Sequence, residues 1–213
     1  LKGKAIVNPA NSEAVLRRLS HYARCLGLAV AGGIDTVTSE YLAAPCGTTS
    51  ASVRKDLSIF GEFGKRGSGY PARELLGEIR EVLGITLTPP VLLIGAGRVG
   101  RAIAEGGIPG GVYAVEALFD TDRELTGRAV GDLTVRHTDE LAGIEGGLEG
   151  WIAIIAVTPG RAQEAVDILV ERGCRSILCL NMEPVTVPGD VTLRRTEMAT
   201  ELDLLTHAMN SRR

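Results

Sequence analysis

The chain has 213 residues, 45% hydrophobic and 23% charged, which suffices for one large domain or two modest ones and excludes a disordered chain. Aromatic residues make up only 4% against 27 glycines, a balance that suits helices packed on a parallel sheet better than an aromatic-rich all-β fold. The net charge of -3 hides an asymmetry: residues 1–86 carry 11 Lys and Arg against 8 Asp and Glu, and residues 87–213 carry 12 against 18, so a polyanion would meet the front portion. Cys25, Cys46, Cys174 and Cys179 form neither a CxxC pair nor a His/Cys cluster, which argues against a metal site and a disulfide framework and for a reducing compartment. With no charged-then-apolar leader and no run of about 18 apolar residues, the expectation is a cytoplasmic protein with no membrane association.

Leu1 to Asn11 lack periodicity and read as an arm. A helix starts at Ser12-Glu13, where Val15, Leu16, Leu19, Tyr22, Ala23 and Leu26 recur at three- and four-residue spacing, and Gly32-Gly33 breaks the chain. Thr38 or Ser39 can cap a short helix that Gly47 closes, its last turn shortened by Pro45. Thr49 or Ser50 can cap the next helix, to about Ile59, and the pair reads as a helix-turn-helix. Glycines at 61, 64, 67 and 69 then suit a tight hairpin, a wing with Lys65 and Arg66 at its tip. Pro71 to Leu83 is a further helix, and Gly84 to Pro90 holds the boundary of a winged-helix DNA-binding domain, residues 1–86.

The helix from Ser50 offers Ser50, Ser52, Arg54, Lys55 and Ser58 as small donors and cations. In a major groove, Arg and Lys donate to guanine and serines reach phosphates or base edges, while Lys65 and Arg66 suit the adjacent minor groove. An ordinary solvated helix with an Arg54/Asp56 charge mix carries the same residues, and periodicity does not separate the two.

From Val91 the period changes. Val91–Ile94 is a short apolar run that enters Gly95-Ala96-Gly97-Arg98-Val99-Gly100, followed by a helix over Arg101–Glu105 and a strand over Tyr113–Phe119 that ends at Asp120. Strands over Trp151–Val157 and Ser176–Leu180 flank a helix over Arg161–Arg172. The alternation calls for an α/β fold, a parallel Rossmann sheet over residues 87–195. The last helix, Thr196 to Asn210 within residues 196–213, lines Met198, Leu202, Leu205 and Met209 on one face.

The three glycines of this turn serve different ends. Gly95 permits the tight turn, Gly97 lets a pyrophosphate approach, and Gly100 allows helix to pack on strand. Asp120, 20 positions after Gly100, would accept from the adenosine ribose and repel the 2′-phosphate of NADP, so NAD(H) is the expected cofactor. Thr158-Pro159 and Asn181, at strand ends, lie where the nicotinamide would sit. Proton donors for hydride transfer are sparse there: Tyr113, His207 and His137, the last reading as a surface or capping residue before a helix start. The portion looks built for binding and the chain is not expected to be an enzyme. A small NAD(H)-dependent oxidoreductase and a binder of another nucleotide such as CoA remain the alternatives, with a glycine turn that holds no ligand as the blandest.

The block Ser52-Val-Arg-Lys-Asp-Leu-Ser-Ile-Phe-Gly-Glu-Phe-Gly-Lys-Arg-Gly-Ser-Gly-Tyr70 resembles the Rex family of redox-sensing transcriptional repressors, and the likeness runs from about Ala14 to about Leu205. The resemblance implies an N-terminal winged helix, a Rossmann domain and a C-terminal helix exchanged between the subunits of a homodimer. It also implies binding to inverted-repeat operator DNA and release when NADH binds. Arg54 and Lys55 then match recognition-helix contacts, Lys65 and Arg66 wing contacts, and Gly95, Gly97, Gly100 and Asp120 the dinucleotide motif. Arg24 matches an arginine that pairs with an acidic residue before the exchanged helix, here Glu197. The chain departs from the family pattern at Gly106-Gly107, where a tyrosine is usual, at Met198, where an aromatic is usual, and at Cys179-Leu-Asn-Met182, which replaces Asn-Phe-Ala-Pro. All three lie where nicotinamide and dimer meet, which keeps open a Rex-like DNA-binding paralogue without NADH selectivity.

Overall fold

Proline opens the first helix. α1 runs Pro9–Ala31, three residues ahead of the start expected at Ser12, because proline's fixed φ fits the first helical turn and its missing N–H needs no partner there. The structure, a computed structural model, describes residues 9–61, 69–108, 112–181, 183–196 and 198–211, so most of the expected arm and the tip of the expected wing lie outside the described residues. The chain divides into two compact units, residues 1–87 and 88–213.

In the first unit α1 buries Leu19, Tyr22, Ala23 and Leu26 of the predicted stripe, half-buries Val15 and Leu16, and buries Ala29 beyond it. Its end is closed by Gly32 N–H on Leu28 O and Ile34 N–H on Ala29 O, with Gly33 at φ 77°. β1 (Thr36–Val37) leads into α2 (Ser39–Ala43), where Thr38 Oγ1 accepts from Tyr41 N–H at 3.2 Å. Pro45 sits in a 3₁₀ turn, Ala44–Cys46, that Gly47 ends in the left-handed conformation. α3 (Ser50–Ser58) takes Thr49 as its cap, Oγ1 accepting from Ser52 N–H at 3.1 Å. β2 (Tyr70–Pro71) pairs antiparallel with β1, Val37 opposite Tyr70. Gly69 makes that ladder possible, since a Cβ there would lie 2.7 Å from Val37 O and its φ is 78°. α4 (Ala72–Leu83) packs on α1 and buries Leu75, Leu76 and Ile79, so one core of helix faces supports α3.

The second unit is a sheet with two apolar faces. Its elements are β3 (Val91–Ile94), α5 (Arg98–Gly106), β4 (Val115–Asp120), β5 (Ala129–Val130), β6 (Leu133–His137), a 3₁₀ turn (Thr138–Gly143), β7 (Ile152–Ile155), α6 (Ala162–Glu171), β8 (Ser176–Cys179), β9 (Thr192–Arg195) and α7 (Met198–Asn210). The order is β5-β6-β4-β3-β7-β8-β9, parallel throughout except for β5 on β6. The six parallel strands taken by themselves follow the classic doubly wound order, with the chain turning from one half to the other between β3 and β7. β3 is buried along its whole length, as a central parallel strand with covered faces must be. Leu92, Ile94, Phe119, Ala153 and Ile155 face one layer, and Leu93, Leu118, Val135 and Ile154 the other.

α7 buries none of its residues, and Met198, Leu202, Leu204, Leu205 and Met209 are all exposed. No described helix is long and apolar enough to cross a membrane, and no described group of three His, Cys, Asp or Glu side chains could hold a metal ion.

Candidate dinucleotide crevice and nucleic-acid interface

The carboxyl ends of β4, β3 and β7 meet at the point where the sheet order reverses, the place where doubly wound folds bind ligands. The glycine turn is built into this edge by backbone bonds, Gly95 N–H to Phe119 O and Ala156 N–H to Ile94 O, both at 2.8 Å. Gly95 sits at φ 110°, and a Cβ on it would come 2.5 Å from Ala156 O. A Cβ on Gly100 would lie 1.7 Å from Gly95 O, so α5 rests directly on the turn. Gly97 has open space around it, room for a ligand to approach the backbone. α5 begins at Arg98 and not at the expected Arg101. Gly97 caps it without a side chain, which leaves first-turn N–H groups for an anion. Arg98 and Val99 are exposed beside it, while Ala96 is buried.

Asp120 closes β4 and is oriented before any ligand arrives. Its Oδ2 accepts from Ala96 N–H at 2.6 Å and its Oδ1 from Asp122 N–H at 2.9 Å. Each carboxylate oxygen retains a lone pair for a ribose hydroxyl. Thr158 and Pro159 lie exposed beyond β7. Asn181 lies beyond β8, where its Oδ1 is 3.1 Å from Cys179 Sγ and its Nδ2 is buried without a partner among the described residues. An orphaned donor beyond β8, an open backbone at Gly97 and an oriented carboxylate at Asp120 suit a dinucleotide with a carboxamide at its far end. His137 is the capping residue that its position suggests, with Nδ1 accepting from Asp139 N–H at 3.2 Å.

Three side chains at this edge carry no sequence signal. Glu183 reaches back to accept from the N–H groups of Gly160 and Ala162, capping α6 from 21 residues away. Arg161 donates from Nη2 to Thr121 Oγ1 at 2.8 Å and from Nε to Glu164 at 2.9 Å. Partners 40 residues apart leave no periodic trace; only the strand order brings them together.

In the first unit, α3 presents Arg54, Lys55 and Ser58 to solvent and half-covers Ser52. Ser50 lies at its first position, half-buried. Arg54 donates Nη1 to Ser39 Oγ on α2 at 3.0 Å, which aims the guanidinium and leaves most of its donors free. The Ser52 hydroxyl pairs with Thr49 Oγ1 at 2.9 Å, and Ser58 donates to Lys55 O at 2.8 Å, so these two serines are engaged in the helix itself. Asp56, on the opposite side of α3, is buried and accepts from Arg18 Nε at 2.6 Å, Arg18 Nη2 at 2.8 Å and Tyr22 Oη at 3.0 Å. That cluster fixes α3 against α1. Lys65, Arg66 and Glu197 lie outside the described residues, and Arg24 is exposed.

Residues 12–58 match the family described as putative DNA-binding protein N-terminus, and residues 88–182 match the CoA binding domain. The redox-sensing transcriptional repressor Rex of Streptomyces avermitilis is 40% identical over 194 residues, 91% of this chain and 77% of that relative. Rex of Chloroflexus aggregans is 40% identical over 197 residues, covering 92% of each. The crystal structure of RSP in complex with β-NAD+ and operator DNA superposes with a TM-score of 0.82 at 28% identity, over 98% of this chain and 95% of that one. RSP in complex with β-NADH gives a TM-score of 0.78 at 27% identity, over 98% and 97%.

Proposed function

Because the chain belongs to the Rex family of redox-sensing transcriptional repressors, we propose that it binds an inverted-repeat operator as a homodimer and leaves that operator when NADH binds. It is a transcriptional repressor and not an oxidoreductase, and NAD(H) is its ligand. The observation that carries the reading is the likeness, along nearly the whole chain, to a repressor seen with both β-NAD+ and operator DNA.

In this reading the two compact units work as domains, a winged-helix domain ending near residue 86 and a Rossmann domain to about 195. Ser50, Ser52, Arg54, Lys55 and Ser58 meet the major groove, with Lys65 and Arg66 in the flanking minor groove. Two copies of α3 dock on half-sites about 34 Å apart, as two-fold symmetric readers do. Asp120 holds the adenosine ribose, the turn from Gly95 through Gly100 with Ala96, Arg98 and Val99 takes the pyrophosphate, and Thr158, Pro159 and Asn181 flank the nicotinamide. The Arg24–Glu197 pair serves as a latch in one dimer arrangement. Reversing a 99:1 preference between arrangements takes about 10⁴-fold tighter binding to the released one.

Fluorescence anisotropy of a labelled inverted-repeat duplex, titrated with NADH, NAD+ and CoA at one fixed salt concentration, tests the function. Release is expected with NADH and not with NAD+ or CoA. A complex that ignores NADH would leave a DNA-binding paralogue answering another signal, and release by CoA would reassign the ligand.

The exposed face of α7 is the proposed dimer surface, since a row of four apolar side chains in water favours association. Leu202→Glu with Leu205→Glu is expected to yield monomers by light scattering and to weaken binding to the full inverted repeat at least tenfold, about 1.4 kcal/mol. A dimer that persists would place the interface elsewhere.

A further inference from the structure

β4 and β7 flank β3 in the sheet, so their ends stand two strand spacings apart, about 9.5 Å. Thr121 follows β4 and Arg161 lies at the start of α6, beyond β7. The 2.8 Å bond from Arg161 Nη2 to Thr121 Oγ1 therefore passes over the end of β3, where Gly97 leaves its backbone open. The N-terminus of α6 is already supplied with an anion, because Glu183 accepts from Gly160 and Ala162 N–H. The carboxylate disfavours a phosphate at that helix start, and among the described residues Arg161 supplies a cation on this side of the crevice. The Asp120 carboxylate stands at the end of β4, bonded to Ala96 N–H of the glycine turn, so a pyrophosphate entering here needs a positive charge nearby.

We propose that Arg161 is a dinucleotide-binding residue, whose guanidinium leaves Thr121 for the pyrophosphate of the ligand and clamps it over the glycine turn. This rests on NAD(H) being the ligand. The exchange is favourable in kind: the guanidinium leaves a neutral hydroxyl acceptor for an anionic one, which adds the attraction of opposite full charges to the hydrogen bond. The planar fork of arginine also matches two phosphate oxygens, whereas lysine offers a point charge. Arg161 Nη1 has no partner among the described residues, so the second prong is free. Nε stays on Glu164, which keeps the side chain extended over the crevice.

The test is competition against NADH fluorescence with ADP, which carries the pyrophosphate, and adenosine, which lacks it. Arg161→Ala is expected to weaken NADH and ADP about tenfold and to leave adenosine within twofold. Thr121→Val removes the resting bond and keeps the cation, so it is expected to hold NADH affinity within twofold or tighten it. Arg161→Lys should fall between wild type and alanine. Equal losses for ADP and adenosine, unchanged ADP binding in Arg161→Ala, or a Thr121→Val loss as large as the alanine loss would each overturn the assignment. Failure of the wild-type protein to bind either NADH or ADP would instead overturn the NAD(H) reading on which it stands.

Discussion

Asp56→Ala is expected to melt the helix-turn-helix unit far below the temperature at which wild type melts, to abolish operator binding, and to leave NADH binding by the sheet unit intact. Asp56 accepts two bonds from Arg18 and one from Tyr22, and its side chain is 4% exposed. Removing it strands a buried phenol and a guanidinium with no anion. Breaking a buried pair from one side costs about 3–5 kcal/mol. Arg18, 33% exposed, recovers some hydration, so about 2–4 kcal/mol is the expected loss. A unit of this size loses roughly 4–8 °C per kcal/mol, which puts the drop between about 8 and 32 °C. Operator affinity falls as well, because the cluster is what fixes α3 to α1. Asp56→Asn, which keeps the volume and one acceptor, should lie between the two. A melting temperature for Asp56→Ala within about 3 °C of wild type would show that the cluster contributes little.

The same cluster gives the unit a pH window with two edges. Burial by itself disfavours the Asp56 carboxylate, but the hydrogen bonds from Arg18 and Tyr22 and the nearby positive charge outweigh it, so its pKa is lowered from the ordinary 3.8. A depressed carboxylate gives its full stabilisation above the unfolded value and loses it as pH falls through the folded one. Burial, and next the bond to Asp56, push the Tyr22 phenol well above its ordinary 10.0. Its contribution is therefore complete below the ordinary phenol range and lost as pH rises beyond it. Melting the unit across pH should show both edges, and Asp56→Ala should remove the acid edge and weaken the alkaline one, since burial of Tyr22 remains.

How much of this the residues announce by themselves depends on how far apart the partners lie. The stripe of α1, the caps Thr38 and Thr49, and the 3₁₀ turn at Pro45 are local, and spacing or turn chemistry reveals each. β1 and β2 are two residues long each, too short for alternation, and only Gly69 betrays that a backbone passes close. β6 and β9 carry arginines at 136, 194 and 195 and are half or fully exposed in places, so they lack the apolar run that reveals β3 and β7. Asp56 reads as part of a solvated charge mix with Arg54, yet Arg18, 38 residues away, makes it a buried anchor. The same limit hides the site. Asp120 is legible from its distance to the glycines, whereas its bond to Ala96 N–H, the Arg161 bridge and the Glu183 cap depend on strand order, which spacing does not encode.

Two of the three glycines of the turn, Gly97 and Gly100, should separate binding from folding. A Cβ on Gly100 would overlap Gly95 O at 1.7 Å, backbone against backbone, so α5 must lift from β3 or the turn must move. Gly100→Ala is thus expected to lower the melting temperature of the nucleotide unit and to eliminate NADH binding together, with overpacking losses of about 1–3 kcal/mol or more. Gly97 has nothing within 4 Å and a φ of -70°, which alanine adopts freely. Gly97→Ala should therefore melt no lower than wild type, gaining slightly from a stiffer unfolded chain, while its methyl group occupies the space that a pyrophosphate needs. NADH affinity is expected to fall at least tenfold, about 1.4 kcal/mol, and the NADH concentration that releases operator should rise by the same factor. The product is a stable repressor that stays on its operator when NADH is abundant. Wild-type NADH affinity in Gly97→Ala would mean that the pyrophosphate does not approach the turn at this point. A normally melting Gly100→Ala protein would mean that α5 can move without cost, against the contact that seats it.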